Sequence, residues 1–239
     1  MELTEALRST GAIREFTDEP VPDDVLARVL DTARFAPSGG NAQSWRVVVV
    51  KDPHIRASLR DLYLRGWYDY LAMTRAGLRP WAPVNDRDAE RRAVADGAAD
   101  IAAAAAAAPG FAEHLDRAPV LLALYADLAA LAAVDRDGAR YPFVGGASIY
   151  PFAWSILLAA REHDLGGVIT TMAVRDEPAV NALLGATGSL ALAAVIALGH
   201  PVARPRRLRR AEVANFATID TIGGAPLTAG GAPLTAGGA

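Results

Sequence analysis

Apolar positions first recur with a helical period after Pro22. Val25, Leu26, Val29, Leu30 and Ala33 fall on one face, and Asp23, Asp24, Arg28, Asp31 and Arg34 fall elsewhere. Pro22 suits a first helical turn and the two aspartates suit its positive dipole end, so an amphipathic helix is predicted that stops before Pro37. The polar turn Ser38-Gly39-Gly40-Asn41 follows, and then residues 45–50, rich in β-branched side chains, read as a buried strand ended by Asp52-Pro53. Residues 119–126 read as another buried strand, 166–171 as a short one, and 190–199 as a strand whose alanines also allow a helix. Helices are predicted over 54–63, 88–108 and 177–184.

Two stretches depart from these simple periods. Residues 146–160 are apolar nearly all round, with Ser148 placed to cap a helix and Pro151 in its first turn; such a helix is buried, centrally or in a subunit interface. Residues 62–87 concentrate Tyr63, Trp67, Tyr68, Tyr70 and Trp81 with the interruptions Gly77, Pro80 and Pro83, and read as an irregular aromatic segment. From Gly223 the seven-residue unit GGAPLTA is written twice and then cut off, a low-complexity sequence expected to form a flexible tail. The expected division is therefore a single folded domain over 1–222 and a tail over 223–239.

The composition is globular, with 52% hydrophobic and 21% charged residues in 239, and the formal net charge of −3 offers no general attraction to nucleic acid or an anionic membrane. No apolar run approaches the ~20 residues that span a bilayer, and the first residues lack a signal-peptide core, so a cytoplasmic protein is expected. The absence of cysteine excludes disulfides, thiolate metal sites and a cysteine nucleophile. No dinucleotide-binding glycine fingerprint, phosphate loop or nucleophile elbow occurs, and His54, His114, His163 and His200 lack metal-ligand spacing.

What remains is a set of segments suited to an anion and a flat ligand. Arg14 lies between apolar Ile13 and Phe16, which would pin its backbone beside a buried site. The turn from Ser38 through Gly39 and Asn41 to Gln43 offers a hydroxyl, two carboxamides and glycines that admit a ligand close to the main chain. Arg206, Arg207, Arg209 and Arg210 cluster in an otherwise acidic protein. Guanidinium groups converging from separate segments hold a phosphate monoester in bidentate fashion.

The order of these segments resembles the FMN-dependent nitroreductase family. The resemblance runs through REFTDEPVP, the helix, APSGGNAQSWRVVVV, Gly146-Ala147-Ser148-Ile149-Tyr150-Pro151, Leu165-Gly166-Gly167-Val168-Ile169-Thr170-Thr171 and Leu198-Gly199-His200-Pro201 with its arginines. It covers residues 2–220 and is weakest over 63–118. It implies an α+β fold with a mixed, mostly antiparallel sheet flanked by helices, in an intertwined homodimer with two FMN sites at its interface.

By the same resemblance, Arg14, Arg207 and Arg209 would hold the FMN phosphate. Ser38, Gly39, Asn41 and Gln43 would line the cofactor of the partner subunit, and Gly167, Thr170 and Thr171 would lie against the flavin ring. Two departures stand out. Many relatives carry Arg-x-Ser-x-Arg/Lys ending at the position of Arg14, where this chain has Thr10-Gly11-Ala12-Ile13-Arg14; and Trp154-Ser155 stands where Gln-Asn is frequent.

The implied reaction is ping-pong hydride transfer from NAD(P)H through FMN to a small flat acceptor, nitroaromatic or quinone. It requires no catalytic side chain and no metal. Trp67 and Tyr68 are the expected acceptor contacts. The alternatives are reductive dehalogenation or flavin fragmentation on the same fold, or an FMN-binding protein that sequesters flavin without turnover.

Overall fold

A computed structural model describes residues 2–204 and 208–228. The chain divides into two compact units, Met1–Pro205 and Arg206–Ala239.

In the first unit, strands β1 (Trp45–Val49), β2 (Val120–Asp127), β3 (Gly166–Thr170) and β4 (Leu190–Gly199) form one sheet. Their order is β1-β2-β4-β3, and each neighbouring pair is antiparallel. The mixed character comes from Ala12, which bridges Gly167 in the parallel sense while the Ile13 N–H donates to the Gly167 carbonyl at 2.9 Å. Ala193 is an extra residue between the β2–β4 pairs Leu124↔Ala194 and Tyr125↔Leu192, a bulge that locally increases the twist.

The central strands lack polar alternation because both faces of the sheet are covered. Leu122, Leu124, Ile196 and Leu198 point into one core with α2 (Asp23–Ala33) and α5 (Tyr150–Ala160). Leu121, Ala123, Tyr125, Val195 and Ala197 point into the other with α3 (Pro53–Arg75) and α6 (Glu177–Leu184). Of the two places foreseen for the all-apolar helix, α5 takes the central one: Phe152, Ala153, Ile156, Leu157, Ala159 and Ala160 are buried within their own chain. Ser148 does not cap it. Ile149 is the N-cap, and the Ser148 hydroxyl instead accepts from the Gly39 N–H at 3.0 Å.

The largest difference from expectation is α3, which continues to Arg75 through the segment read as irregular. Asp52 caps it by accepting from the N–H groups of His54 and Ile55, and Pro53 occupies the first turn. Gly66 does not break it. A Cβ there would come within 2.5 Å of the Met172 carbonyl, so glycine lets α3 pass close to the turn after β3. Irregular chain is confined to residues 76–86, where Trp81 has φ 52°, before α4 (Arg87–Ala107). α4 has no buried residue, in keeping with alanines that offer little to pack. A short α1 (Leu3–Ser9) precedes these elements and was not foreseen.

In the second unit, a turn at Val213–Asn215 leads to an antiparallel bridge between Thr218 and Pro226. The Ile219 N–H donates to the Ala225 carbonyl and the Leu227 N–H to the Ala217 carbonyl, both at 2.9 Å. Residues 229–239, which include the whole of the second repeat unit, lie outside the described residues. Among the described residues, no helix is long and apolar enough to cross a membrane.

Candidate functional site

β3 ends at Thr170, and the chain turns at once into the short helix Met172–Asp176. Because α3 is continuous over this turn, Tyr63, Trp67 and Tyr70 recur at helical spacing on one stripe. Tyr63 and Trp67 have ring centroids 6.3 Å apart at 19°, and Trp67 and Tyr70 are 5.5 Å apart at 6°. This stripe, Phe111, residues 168–172 and Arg14 line a cleft of about 190 Å³. An aromatic wall facing the end of a strand, with a cation at the rim, accepts a flat ligand that carries negative charge.

The electrostatics bind three of these residues together. Burial pushes the Tyr63 pKa up, while the hydrogen-bonding Thr170 side chain and the charge of Arg14 pull it down and Glu113 opposes them. The net effect raises it, so Tyr63 is a neutral hydroxyl at physiological pH. Arg14 is held as its flanking residues require: Ile13 is buried, and Phe16 packs edge-on against Phe111 at 6.5 Å. Arg14 and Phe111 also line an adjoining cleft of about 470 Å³ that includes Glu15, Asp18, His114 and Arg117.

Of the residues singled out in the sequence, Arg14, Trp67, Thr170 and Thr171 thus meet in one cleft. Tyr68 does not line it; its hydroxyl donates to Glu113 Oε1 at 3.2 Å, and burial and the Glu113 charge raise its pKa. Gly167 is buried in β3, where a Cβ would meet the Ala197 carbonyl at 2.2 Å, so packing alone demands glycine. Its carbonyl is already occupied by the Ile13 N–H.

The turn at Ser38 is a separate feature. The Ser38 hydroxyl accepts from the Gln43 N–H at 3.0 Å, and Gln43 Nε2 donates to Asn41 Oδ1 at 3.2 Å. Gly40, Asn41 and Gln43 all have positive φ. Such backbone is uncommon for Asn and more so for Gln, and strain of this kind gathers at ligand sites. Gly39, Asn41 and Gln43 are exposed and Ser38 half-buried. In the second unit Arg209 is exposed, whereas Arg207 lies outside the described residues.

Sequence reasoning grouped Tyr63 and Tyr70 with Trp67 but placed them in an irregular segment, and so did not see the helical stripe that their spacing by four and three residues makes. Phe111 left no signal, because it comes from the connection between α4 and β2.

Comparison with known proteins places this fold. The curated protein iodotyrosine deiodinase 1 of Pongo abelii is 28% identical over 200 residues, which cover 84% of this chain and 61% of that protein. The chain therefore spans less than two thirds of the length of the first curated relatives it matches. A protein of Thermus thermophilus described as NADH dehydrogenase is 29% identical over 217 residues, covering 80% of this chain and 82% of that one. Among solved structures, a mutant of the FMN and NADPH-dependent nitroreductase NfnB from a Sphingopyxis strain is 27% identical. It superimposes with a TM-score of 0.57 over 84% of this chain and 89% of its own. The family model described as "Nitroreductase family" matches residues 7–200, and this chain belongs to that family.

Proposed function

We propose that the chain is an FMN-dependent oxidoreductase that draws electrons from NAD(P)H and passes them to a small flat acceptor of nitroaromatic or quinone type. The observation that carries the proposal is the convergence of Arg14, Tyr63, Trp67 and Thr170 in one cleft. The residues present suit FMN chemically. The cleft has a planar aromatic wall, main-chain groups at 170 and 171 and a guanidinium at its rim, and the chain lacks a dinucleotide fingerprint.

FMN, when bound, supplies hydride acceptance and donation; the protein binds, orients and excludes water. Trp67 and Tyr70 wall the cleft, Tyr63 offers a neutral hydroxyl beside Thr170, and the positive charge of Arg14 in the same cleft would favour a ring that gains negative charge on reduction. In this reading Ser38, Gly39, Asn41 and Gln43 would serve the cofactor site of the other subunit, and Thr170 and Thr171, which line the cleft, would hold the ring.

The functional unit is a homodimer. Its apolar surface includes the first residue of α5: Tyr141, Phe143 and Tyr150, at 65%, 68% and 45% exposure, line an apolar cleft of about 300 Å³. An exposed patch of this kind marks an interaction surface.

A second reading is favoured by the match to iodotyrosine deiodinase over 84% of the chain: reductive dehalogenation of a halogenated aromatic in the same cleft. One experiment tests both readings. Protein purified in native buffer is denatured and the released flavin identified, and the reduced holoenzyme is then challenged with a nitroaromatic, a quinone and an iodinated phenol. Stoichiometric FMN and reoxidation by the first two support the leading reading. Preferential iodide release supports the second, and stoichiometric FAD contradicts both.

A further inference from the structure

The short helix Met172–Asp176 serves the cleft at one end and α3 at the other. Met172 lines the aromatic cleft directly after Thr170 and Thr171. Three residues later, Arg175 turns back onto α3. Its Cβ and Cγ lie 3.2 and 3.1 Å from where a Gly66 Cβ would stand, so its stem runs along the glycine of α3. Its guanidinium carbon then lies over the Trp81 ring, 4.8 Å from the ring centre. Half-buried Asp69 on α3 feels the same guanidinium: burial pushes the Asp69 pKa up and the Arg175 charge pulls it down.

Trp81 needs this support. Its φ of 52° puts a bulky side chain in the left-handed region, where the backbone is strained. The cation over its face and the Tyr70 ring at 6.3 Å, tilted by 42°, are contacts that offset the strain. Beyond Tyr70 the rings continue through Trp67 to Tyr63 and line the cleft. Trp81 does not line it. It lines instead a cavity of about 780 Å³, with Asp69, Met73, Arg87, Glu90 and Arg175. Tyr70 faces the cleft and Trp81 the cavity, so this ring pair is the partition between a small space and a much larger one.

We infer that Arg175 is a positioning residue: it clamps Trp81 against Tyr70, closes the far end of the cleft and so limits the enzyme to short flat acceptors. This inference rests on the FMN reading above. Arg175 lines the cavity and not the cleft, so it acts on the acceptor through Trp81. A fused three-ring molecule is longer than a single-ring one in the same plane, and its far ring needs the space that Trp81 bars. The acceptor class that follows is a one-ring quinone or nitroaromatic.

Hydrogen exchange tests the clamp without recourse to flavin or activity. The Ala82 and Asn85 N–H groups donate to the Arg79 and Ala82 carbonyls, so both amides report on the segment that carries Trp81. In Arg175→Gln they should exchange about threefold faster, the scale of one exposed cation–π contact, while Arg175→Lys keeps most of the protection. Steady-state kinetics of the FMN-loaded protein then compare p-benzoquinone with phenanthrenequinone, a three-ring acceptor. Arg175→Gln should shift the kcat/KM ratio about threefold toward the three-ring acceptor, through KM, and Arg175→Lys should not. Trp81→Ala should shift it further, by about tenfold. Unchanged exchange in Arg175→Gln, or equal changes for both quinones, would overturn the inference while the FMN reading stands. A wild type that takes up no flavin would refute the FMN reading and the acceptor limit with it.

Discussion

Gly66 and Met172 touch in a way that no other residue at position 66 permits: a Cβ on Gly66 would stand 2.5 Å from the Met172 carbonyl oxygen. Met172 lines the aromatic cleft, so the contact fixes the distance between α3 and the end of β3. Gly66→Ala gains helix propensity but must push backbone away from backbone. We expect it to lower stability by about 1–3 kcal/mol and to weaken flavin binding, as measured by urea unfolding and flavin titration. A variant at least as stable as wild type would contradict the close approach.

Arg14 lies at the rim of the cleft that holds Thr170 and Thr171. Arg14→Ala is expected to raise the Kd values of FMN and riboflavin alike by about tenfold, the scale of one charge-assisted hydrogen bond. Arg28→Ala removes only an exposed i,i+4 pair with Asp24, and should change neither Kd by more than about twofold. Isothermal titration with both flavins decides; a loss confined to FMN would move Arg14 to the phosphate end.

Trp67 and Tyr68 are adjacent in sequence and separated in role. Trp67 walls the cleft, whereas the Tyr68 hydroxyl is engaged with Glu113. Trp67→Ala should change kcat/KM for bulky acceptors by about tenfold, or roughly 1.4 kcal/mol, and move the NADPH half-reaction much less. Tyr68→Phe should leave both nearly unchanged. Stopped-flow measurement of the two half-reactions separates these outcomes, and equal losses in both for Trp67→Ala would make its role structural.

Asp135 gives stability a predictable dependence on pH. Its carboxylate accepts from the Phe143 N–H at 2.9 Å, from Arg140 Nη1 at 2.8 Å and from the Val144 N–H at 3.3 Å. These contacts, the Phe143 hydrogen bond foremost, hold its pKa below the ordinary carboxylate value. The folded pKa is depressed, so the stabilisation is present above the unfolded value of about 3.9 and is lost as pH falls through the folded pKa. Asp135→Asn should therefore lower Tm at pH 7, by a margin that shrinks below about pH 4. The same margin at pH 7 and pH 3 in thermal melts would contradict this.

Much of the fold was legible because burial leaves a direct mark on composition. The unbroken apolar run of β2 announced a buried strand, and α6 and β4 occur over the residues expected, the strand reading of 190–199 prevailing over the helix its alanines also allowed. α3 was read short because the breaks at Gly77, Pro80 and Pro83 coloured the whole aromatic segment from residue 62; the place of Gly66 inside a helix becomes intelligible only through its contact with Met172, more than a hundred residues away. α1 has seven residues, too few to display a period. Arg14, Thr170 and Thr171 were singled out from motif order and Trp67 from the density of aromatics in its segment, and the four line one cleft. Phe111 was not, because its position in the cleft follows from tertiary packing that no local pattern encodes.

The central claim is electron transfer through a bound flavin, and anaerobic stopped-flow mixing of the FMN-loaded protein with NADPH or NADH tests it most directly. The oxidised flavin band should bleach with at least one of the two donors, and addition of a quinone or nitroaromatic should restore it. A flavin that stays yellow with both donors would contradict the account and leave a protein that holds FMN without turning it over.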